Sequence, residues 1–309
     1  LMSGTLQGWV VGTLMSNMGL ELDLEKLDIH EIEKDDAMKL GDLTIKFFAV
    51  THTIPDSMGI MVETPHGTIV HTGDLKLEHV DGVPTESEVE VYSRFKDENV
   101  ILMMADSTNV ERPGFSFPES KVHDNLEKII QQVQGRCIIG TFASQLERVM
   151  KIVTVAEKLK KKVVIEGRSM KNNVEIVKQL EMLKVDKNVF ITVDEIDQYP
   201  DNKILVLATG AQGDEFAALM RTANKTHKHL KIQKDDTIVL SSSIIPGNEY
   251  AITKLKDNLY RSEAKIITYL DSDIHASGHG NRAELEWIHK QIKYRFFIPF
   301  HGHHYMLRQ

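Results

Sequence analysis

Hydrophobic and polar positions along the chain fall into two rhythms. The first is a set of short apolar runs that stop abruptly at polar side chains. Residues 44–50 (TIKFFAV) end at Thr51 and His52, residues 68–71 (TIVH) at Thr72, Gly73 and Asp74, residues 100–105 (VILMMA) at Asp106, Ser107 and Thr108, and residues 295–300 (RFFIPF) at His301. Their length and their β-branched and aromatic content predict strands. Each strand then carries His or Asp at its C-terminal end. There a side chain is held by the sheet yet faces open space, which is the usual ligand edge of a layered α/β domain.

The second rhythm runs from residue 114 to about residue 274. RCIIGTF, KVVIEG and ILVLATG are each followed by a helical stretch, the three reaching Leu159, Leu183 and Thr222. Alternation of strand and helix predicts a doubly wound parallel sheet. A segment of roughly 160 residues is large enough to be a domain, and polar-ended strands flank it on both sides. It is therefore expected to be an insertion: residues 1–114 form the first part of an outer domain, 115–273 the inserted domain and 274–309 the return segment. The early apolar stretch 8–20 is broken by Asn17 and Gly19 and has no basic flank, so it is expected to be neither signal peptide nor membrane span.

Composition narrows the class. With 309 residues, 41% of them hydrophobic and 27% charged, the chain can bury a core and is not a disordered polymer. The 37 basic and 45 acidic side chains leave a net charge of −8, which argues against indiscriminate coating of nucleic acid. It does not exclude a nuclease, because local clusters can act while the total stays negative. The run Lys160, Lys161 and Lys162 is read as a solvated helix end, where the helix dipole favours cations. One cysteine, Cys137, cannot make an internal disulfide and fits a reducing cytoplasm. The 13 methionines read as core filling.

Candidate chemistry lies in the histidines, of which there are 14. H-T-I-P-D-S (52–57) precedes H-T-G-D (71–74) by a spacer that reads as one hairpin, and H-G-H-H (301–304) closes the chain. Neutral imidazole and carboxylate at strand ends are a ligand set for zinc or manganese, and a carboxylate such as Asp74 can bridge two ions. D-S-T-N (106–109) reads either as an Asx turn or as a functional group. H-A-S-G-H-G (275–280) has small residues that let backbone N–H groups approach an anion, which suits a phosphate. Asp106 paired with His279 would make a carboxylate-oriented imidazole, a general acid for a leaving oxygen. His227 and His229 are expected on one face of a strand, where Lys225, Lys228 and Lys231 would repel a cation, so their role is read as structural. T-G-A-Q-G (209–213) lacks the Gly-x-Gly-x-x-Gly spacing, and no dinucleotide is expected there.

THTIPDS, HTGD, DSTNVERPG, TFAS, GRSM, TGAQGDE, HKHLKI, SSSIIPGNE, HASGHG and PFHG follow one another in this order across essentially the whole chain. In these blocks the sequence resembles the metallo-β-lactamase-fold nucleases with a β-CASP insertion, and within them the bacterial ribonuclease J group. The resemblance implies a metallo-β-lactamase αββα sandwich, incomplete at its N-terminus, with an inserted doubly wound parallel α/β β-CASP domain. It implies a cytoplasmic, two-metal phosphodiesterase, zinc-loaded with manganese or magnesium as substitutes. Such an enzyme acts in RNA maturation and decay, trimming single-stranded RNA from a 5′-monophosphate end and also cutting internally. No membrane partner is implied, and the assembly would be a homodimer or homotetramer.

Residue by residue, His52, Asp74 and His301 fall on the family's metal ligands, with Asp74 the bridge and so part of the catalytic centre. Asp106 and His279 fall on the motifs for leaving-group protonation and its hydrogen-bond network. His275, Ala276, Ser277 and Gly278 match the loop that holds a substrate phosphate, and Ser243, Gly247 and Asn248 a block near it. In the mechanism so implied, the ions neutralise charge on the phosphate and His279 assists the leaving 3′-oxygen.

Two departures bear on function. The family's H-x-H-x-D-H motif is absent: His227-Lys228-His229 continues as Leu230-Lys231, and His301-Gly302-His303 as His304-Tyr305. Three ligand positions are too few for two ions that each want three or four protein groups, so metal binding is expected to be weak or incomplete. Either the motif lies upstream of Leu1 in a longer gene, or the chain is a catalytically impaired RNA-binding relative. The second departure is His303, where the pattern after His301-Gly302 would have Glu, a change that alters the surroundings of His301. A DNA-directed or small-molecule hydrolase on the same fold is the third reading, since such blocks specify fold and metal better than substrate.

Overall fold

The computed structural model describes residues 30, 32–213, 217–245 and 247–309. The stretch 8–20 lies outside them. Two compact units emerge: Leu1–Ser116 with Ser277–Gln309, and the contiguous segment Phe117–Ala276. Along the chain the first unit contributes β1 (Ala37–Leu40), β2 (Leu43–Ala49), β3 (Met58–Thr64), β4 (Gly67–His71), β5 (His79–Val80), β6 (Val83–Pro84), α1 (Glu86–Ser93) and β7 (Val100–Asp106). The second contributes α2 (Glu119–Gln132), β8 (Cys137–Gly140), α3 (Leu146–Lys158), β9 (Lys162–Glu166), α4 (Arg168–Gln179), β10 (Ile204–Ala208), α5 (Ala218–Ala223), β11 (Thr237–Leu240), α6 (Glu249–Tyr260) and β12 (Lys265–Thr268). The chain then returns to the first unit with α7 (Arg282–Gln291) and β13 (Tyr294–Phe300).

In the first unit six strands form one sheet in the order β1-β2-β3-β4-β7-β13. Strands β2 and β4 are each antiparallel to β3, and so run the same way; β7 is parallel to β4, and β13 to β7. The C-terminal ends of β2, β4, β7 and β13 therefore share one edge of the sheet. This follows from pairing alone, and it brings together polar segments that lie far apart in sequence. Phe48, Met61, Val70, Leu75, Leu77, Tyr92, Phe95, Met103 and Leu285 build the core beneath. The Phe48 ring sits edge-on to Phe95 at 5.1 Å and fills the space that a Cβ at residue 59 would need, which is why glycine stands there.

The second unit holds a five-stranded, all-parallel sheet in the order β12-β11-β8-β10-β9. Strands β8, β10 and β11 are buried along their whole length, which explains their unbroken apolar runs in place of alternation. Helix α2 turns Val122, Leu126 and Ile130 inward at i, i+4 spacing, and α3 turns Leu146, Val149, Ile152 and Val153 inward at i, i+3 and i, i+4 spacing. The connection after β8 leads to β9 on one side, and that after β11 leads to β12 on the other. The neighbouring C-terminal ends of β8 and β11 thus form a topological switch point.

Two expectations are corrected here. Residues 227–230 form turns and loop instead of a strand: His227 Nδ1 accepts the backbone N–H of Leu230 at 3.0 Å, its Nε2 meets Glu166 at 3.2 Å, and His229 pairs with Asp194. The short alternation H-K-H-L is a turn closed by its own histidine. The lysine run is not one solvated helix end either. Helix α3 stops at Lys158, Lys160 takes a left-handed φ of 54°, and Lys161 is buried with Nζ donating to Asn202 O. Lys162 opens β9. Among the described residues no helix is long and apolar enough to cross a membrane.

Candidate metal centre

Four of the sequence-predicted residues meet at the shared strand edge of the first unit. His52 follows β2, Asp74 follows β4, and His301 follows β13; Gly73, at a φ of 66°, makes the turn that presents Asp74. His52 Nε2 and His301 Nε2 each lie 3.9 Å from Asp74 Oδ2. The His279 ring stands between the two imidazoles, 5.3 Å from His52 and 5.1 Å from His301. Asp74, His279 and His301 offer donor atoms within 4.8 Å of one another, so the structure adds His279 to the candidate ligands.

Hydrogen bonds fix which nitrogen of each ring is open. A backbone carbonyl can only accept, so the 2.7 Å bond between His52 Nδ1 and Gly278 O puts the proton on Nδ1 and leaves the Nε2 lone pair toward Asp74. His279 Nδ1 likewise donates to Asp106 Oδ2 at 2.6 Å. An imidazole held through Nδ1–H by a carbonyl or a carboxylate is the arrangement metal sites use to aim Nε2. Burial, and then the neighbouring His279, lower the pKa of His52 against the raising effect of the Gly278 carbonyl, which keeps the ring in the neutral form that a ligand needs.

Asp106 is nearly inaccessible and its carboxylate is saturated. Oδ2 accepts from His279 and from Leu75 N at 3.3 Å; Oδ1 accepts from Thr108 N at 2.9 Å and Thr108 Oγ1 at 2.6 Å. Burial alone would raise its pKa, but the bonds from His279 and Thr108 outweigh burial and hold it below the ordinary carboxylate value. Burial opposes charge on His279 as well, and there the bond and charge of Asp106, helped by Asp74, win and raise the pKa. Asp106 is thus a fixed anion that orients His279 rather than a proton donor. The D-S-T-N segment is an Asx-type turn onto Thr108, and its Asp106 also bonds His279.

The loop 275–280 crosses between the units. Ser277 Oγ accepts from Asn109 Nδ2 at 3.0 Å and from His279 N at 3.1 Å, and Gly278 passes so close to His52 that an added Cβ would lie 2.6 Å from its Cε1. His275 and Ala276 belong to the second unit, where both contact Arg148. Ser243, Gly247 and Asn248 follow β11 in that unit. Gln212 Nε2 donates to Ser243 O at 2.6 Å, Gly247 has a φ of 98°, and Asn248 caps α6.

Two residues were missed by sequence reasoning. Glu284, fully buried, accepts from Leu77 N, Asn281 N, Ser116 N and Ser116 Oγ at 2.6–3.1 Å, tying the return segment to the loops behind the site. Its signal was present as the capping box Asn281-x-x-Glu284 at the start of α7. Arg148 is the other, and its sequence carries no such signal.

His52, His301 and Asp74 offer two imidazoles and one carboxylate, which suits one borderline divalent ion, and His279 stands beside them as a fourth candidate group. Among the described residues Asp74, His279 and His301 are the group of close donors found, and with His52 added the four are fewer than two ions need.

The six-stranded sheet with donors at one edge and the contiguous parallel unit define an α/β metallo-β-lactamase fold carrying a β-CASP domain. Residues 134–259 match the family described as ribonuclease J, beta-CASP domain. A chain from Enterococcus faecalis V583, described as a protein of unknown function, superimposes with a TM-score of 0.70 over 98% of this chain and 70% of that one at 16% identity, a likeness of fold. Ribonuclease J of Thermus thermophilus is 39% identical over 279 residues, 89% of this chain and 48% of the relative. Ribonuclease J of Corynebacterium glutamicum is 37% identical over 89% of this chain and 38% of its own length, and ribonuclease J2 of Bacillus subtilis 31% over 91% and 50%. The chain is ribonuclease J-like, and it spans about half or less of the length of these curated relatives.

Proposed function

We infer that this chain supplies metal ligands and the leaving-group machinery of a metal-dependent ribonuclease that hydrolyses phosphodiester bonds in single-stranded RNA. The observation that carries this reading is the convergence of His52, Asp74, His279 and His301, with the Nδ1 protons of His52 and His279 fixed by Gly278 O and Asp106. A bound zinc, manganese or magnesium ion would supply Lewis-acid neutralisation of the phosphate. His52, Asp74 and His301 would hold that ion. Asp106 orients His279, which in its protonated form gives the Nε2 proton to the departing 3′-oxygen; the raised pKa of His279 keeps that form populated nearer neutrality.

The loop 275–278 is read as the phosphate-holding part, with Ser243, Gly247 and Asn248 contributing to the RNA path. The names of the relatives support RNA as substrate. From the same resemblance we read 5′-3′ exonuclease with endonuclease action, preference for a 5′-monophosphate, a cytoplasmic setting, a homodimer or homotetramer, and domains at 1–114, 115–273 and 274–309. The small donor set favours a second reading, in which this chain alone binds RNA and holds one ion without turnover.

Counting ions per polypeptide after chelation and re-exposure to zinc or manganese separates the two. Two tightly held ions, with RNA hydrolysis abolished by Asp74→Ala, support the enzyme. One ion and no hydrolysis supports the second reading, and hydrolysis at an unchanged rate in Asp74→Ala removes the proposed centre altogether.

A further inference from the structure

The stretch that follows Asp74 is held in the first unit by an uncommon set of acceptors. Leu75 N donates to Asp106 Oδ2 at 3.3 Å, Lys76 N to Thr51 O at 2.9 Å, Leu77 N to Glu284 Oε1 at 3.1 Å and Glu78 N to Glu88 Oε1 at 3.0 Å. Where a sheet would use carbonyls, carboxylates from β7, α7 and α1 accept here. Asp106 also orients His279, and Glu284 ties down the return segment. Glu88 has neither task, yet it is buried, and burying a carboxylate costs free energy that its hydrogen bonds must offset.

Glu88 differs from the other two in what it joins. Its Oε1 takes a second donor, Thr51 Oγ1 at 2.5 Å, and Thr51 directly precedes His52. One oxygen on α1 thus links the end of β2, which carries His52, to the extension of β4, which carries Asp74. In the sheet β3 separates those two strands, so their ladders do not fix one against the other. Helix α1 is itself anchored one turn further on by Tyr92, which is buried and lies edge-on to Phe48 and Trp287 at 6.4 and 5.5 Å.

The distance so controlled is a sensitive one. Two ligand atoms that each lie about 2.1 Å from a zinc ion stand about 3.4 Å apart at the tetrahedral angle and cannot exceed about 4.2 Å. His52 Nε2 and Asp74 Oδ2 are 3.9 Å apart, inside that limit by a few tenths of an ångström. A small relaxation of either strand end would put one ligand out of reach.

We propose that Glu88 is a positioning residue for the metal centre: a buried strut whose single oxygen sets the separation of the strand ends bearing His52 and Asp74. The proposal rests on the reading of those two residues as ligands of one ion. Glu88 itself touches neither metal nor substrate.

Cobalt(II) alone, titrated into the 309-residue chain, is the probe, because its visible absorption reports the number and arrangement of its ligands. Labelled-histidine spectra report the His52 ring in the metal-free chain. Glu88→Leu is expected to shift the His52 signals, alter the cobalt band and weaken cobalt binding about tenfold, the lower end of what a lost ligand support costs. Glu88→Gln keeps an acceptor oxygen for both donors and should remain within about threefold of the parent chain. Thr51→Val removes only the Oγ–H donor and should reproduce most of the loss, and combining it with Glu88→Leu should add little, since both cut the same tie. Ile292→Val trims the buried core of the same unit; it should lower the urea midpoint and leave the cobalt band and affinity as they are.

Parental His52 signals with a parental cobalt band in folded Glu88→Leu overturn the proposal. So does an equal change in Ile292→Val, which would make the effect one of general stability. Should Glu88→Leu fail to fold, Thr51→Val decides: parental cobalt affinity there overturns the strut. If the parent chain takes up no cobalt, the ligand reading falls by itself, and His52 signals that move in Glu88→Leu but not in Glu88→Gln still support positioning by Glu88.

Discussion

Gly278 stands where the His52 ring leaves no room for a side chain: a Cβ there would lie 2.6 Å from His52 Cε1 and from Thr53 Cγ2. Its carbonyl also sets the His52 tautomer. Gly278→Ala is therefore expected to displace the imidazole and lower metal affinity roughly 10–100-fold, the usual cost of disturbing a ligand's support. Metal titration by calorimetry checks this, with far-UV circular dichroism unchanged. The Asp106–His279 pair has a pH signature in the metal-free chain. Asp106 is held low, so its contribution is present above the ordinary carboxylate value and disappears as pH falls through the depressed one. His279 is held high, so its contribution is full below the ordinary imidazole value and disappears as pH rises through the raised one. Asp106→Asn should thus cost most between those two ordinary values, about 1.5–3 kcal/mol for a hydrogen bond between charges, and less toward alkaline pH. Denaturant melts across pH measure it. At this scale the candidate positions were readable because polar residues close apolar runs, whereas the choice of tautomer depends on carbonyls and carboxylates far away in sequence.

Among the elements, α7 is tied to the loops around it through Glu284. Glu284→Ala leaves Leu77 N, Ser116 N, Asn281 N and Ser116 Oγ without their acceptor in a buried place. Such a loss should reach about 3 kcal/mol or more, and Glu284→Gln should recover part of it, since one acceptor oxygen remains. The shift in urea midpoint at unchanged slope is the measure. The strands themselves were legible: residues 44–50, 68–71, 100–105 and 295–300 coincide with β2, β4, β7 and β13 to within a residue at most ends. The helices after β9 and β10 were drawn too long. What failed, at His227–His229 and Lys160–Lys162, failed because three residues carry no period. A histidine accepting two backbone N–H groups, or a lysine reaching Asn202 O, is decided by tertiary neighbours.

For the molecule as a whole, the second unit is one uninterrupted stretch of chain with its own buried sheet and core. Residues 117–276 expressed alone should fold cooperatively, and Cys137 reports on it. Burial at the start of β8 pushes that thiol up to about 12, so alkylation at mildly alkaline pH should be slow in the folded segment and complete once denaturant is added. Rapid labelling without denaturant would show that the segment needs the rest of the chain. Order along the sheet could not be read in advance, because strands β8 and β9 are neighbours in sequence yet β10 separates them in space.

His52, Asp74, Asp106, His279 and His301 all come from the first unit, which the chain leaves at Ser116 and re-enters at Ser277. Both crossing residues are moored there, Ser116 to Glu284 and Ser277 to Asn109. The inserted segment is, in engineering terms, an excursion of the chain that starts and ends at fixed anchors. A change of loop length inside that excursion therefore leaves the pairing of the strands that carry the five side chains as it is.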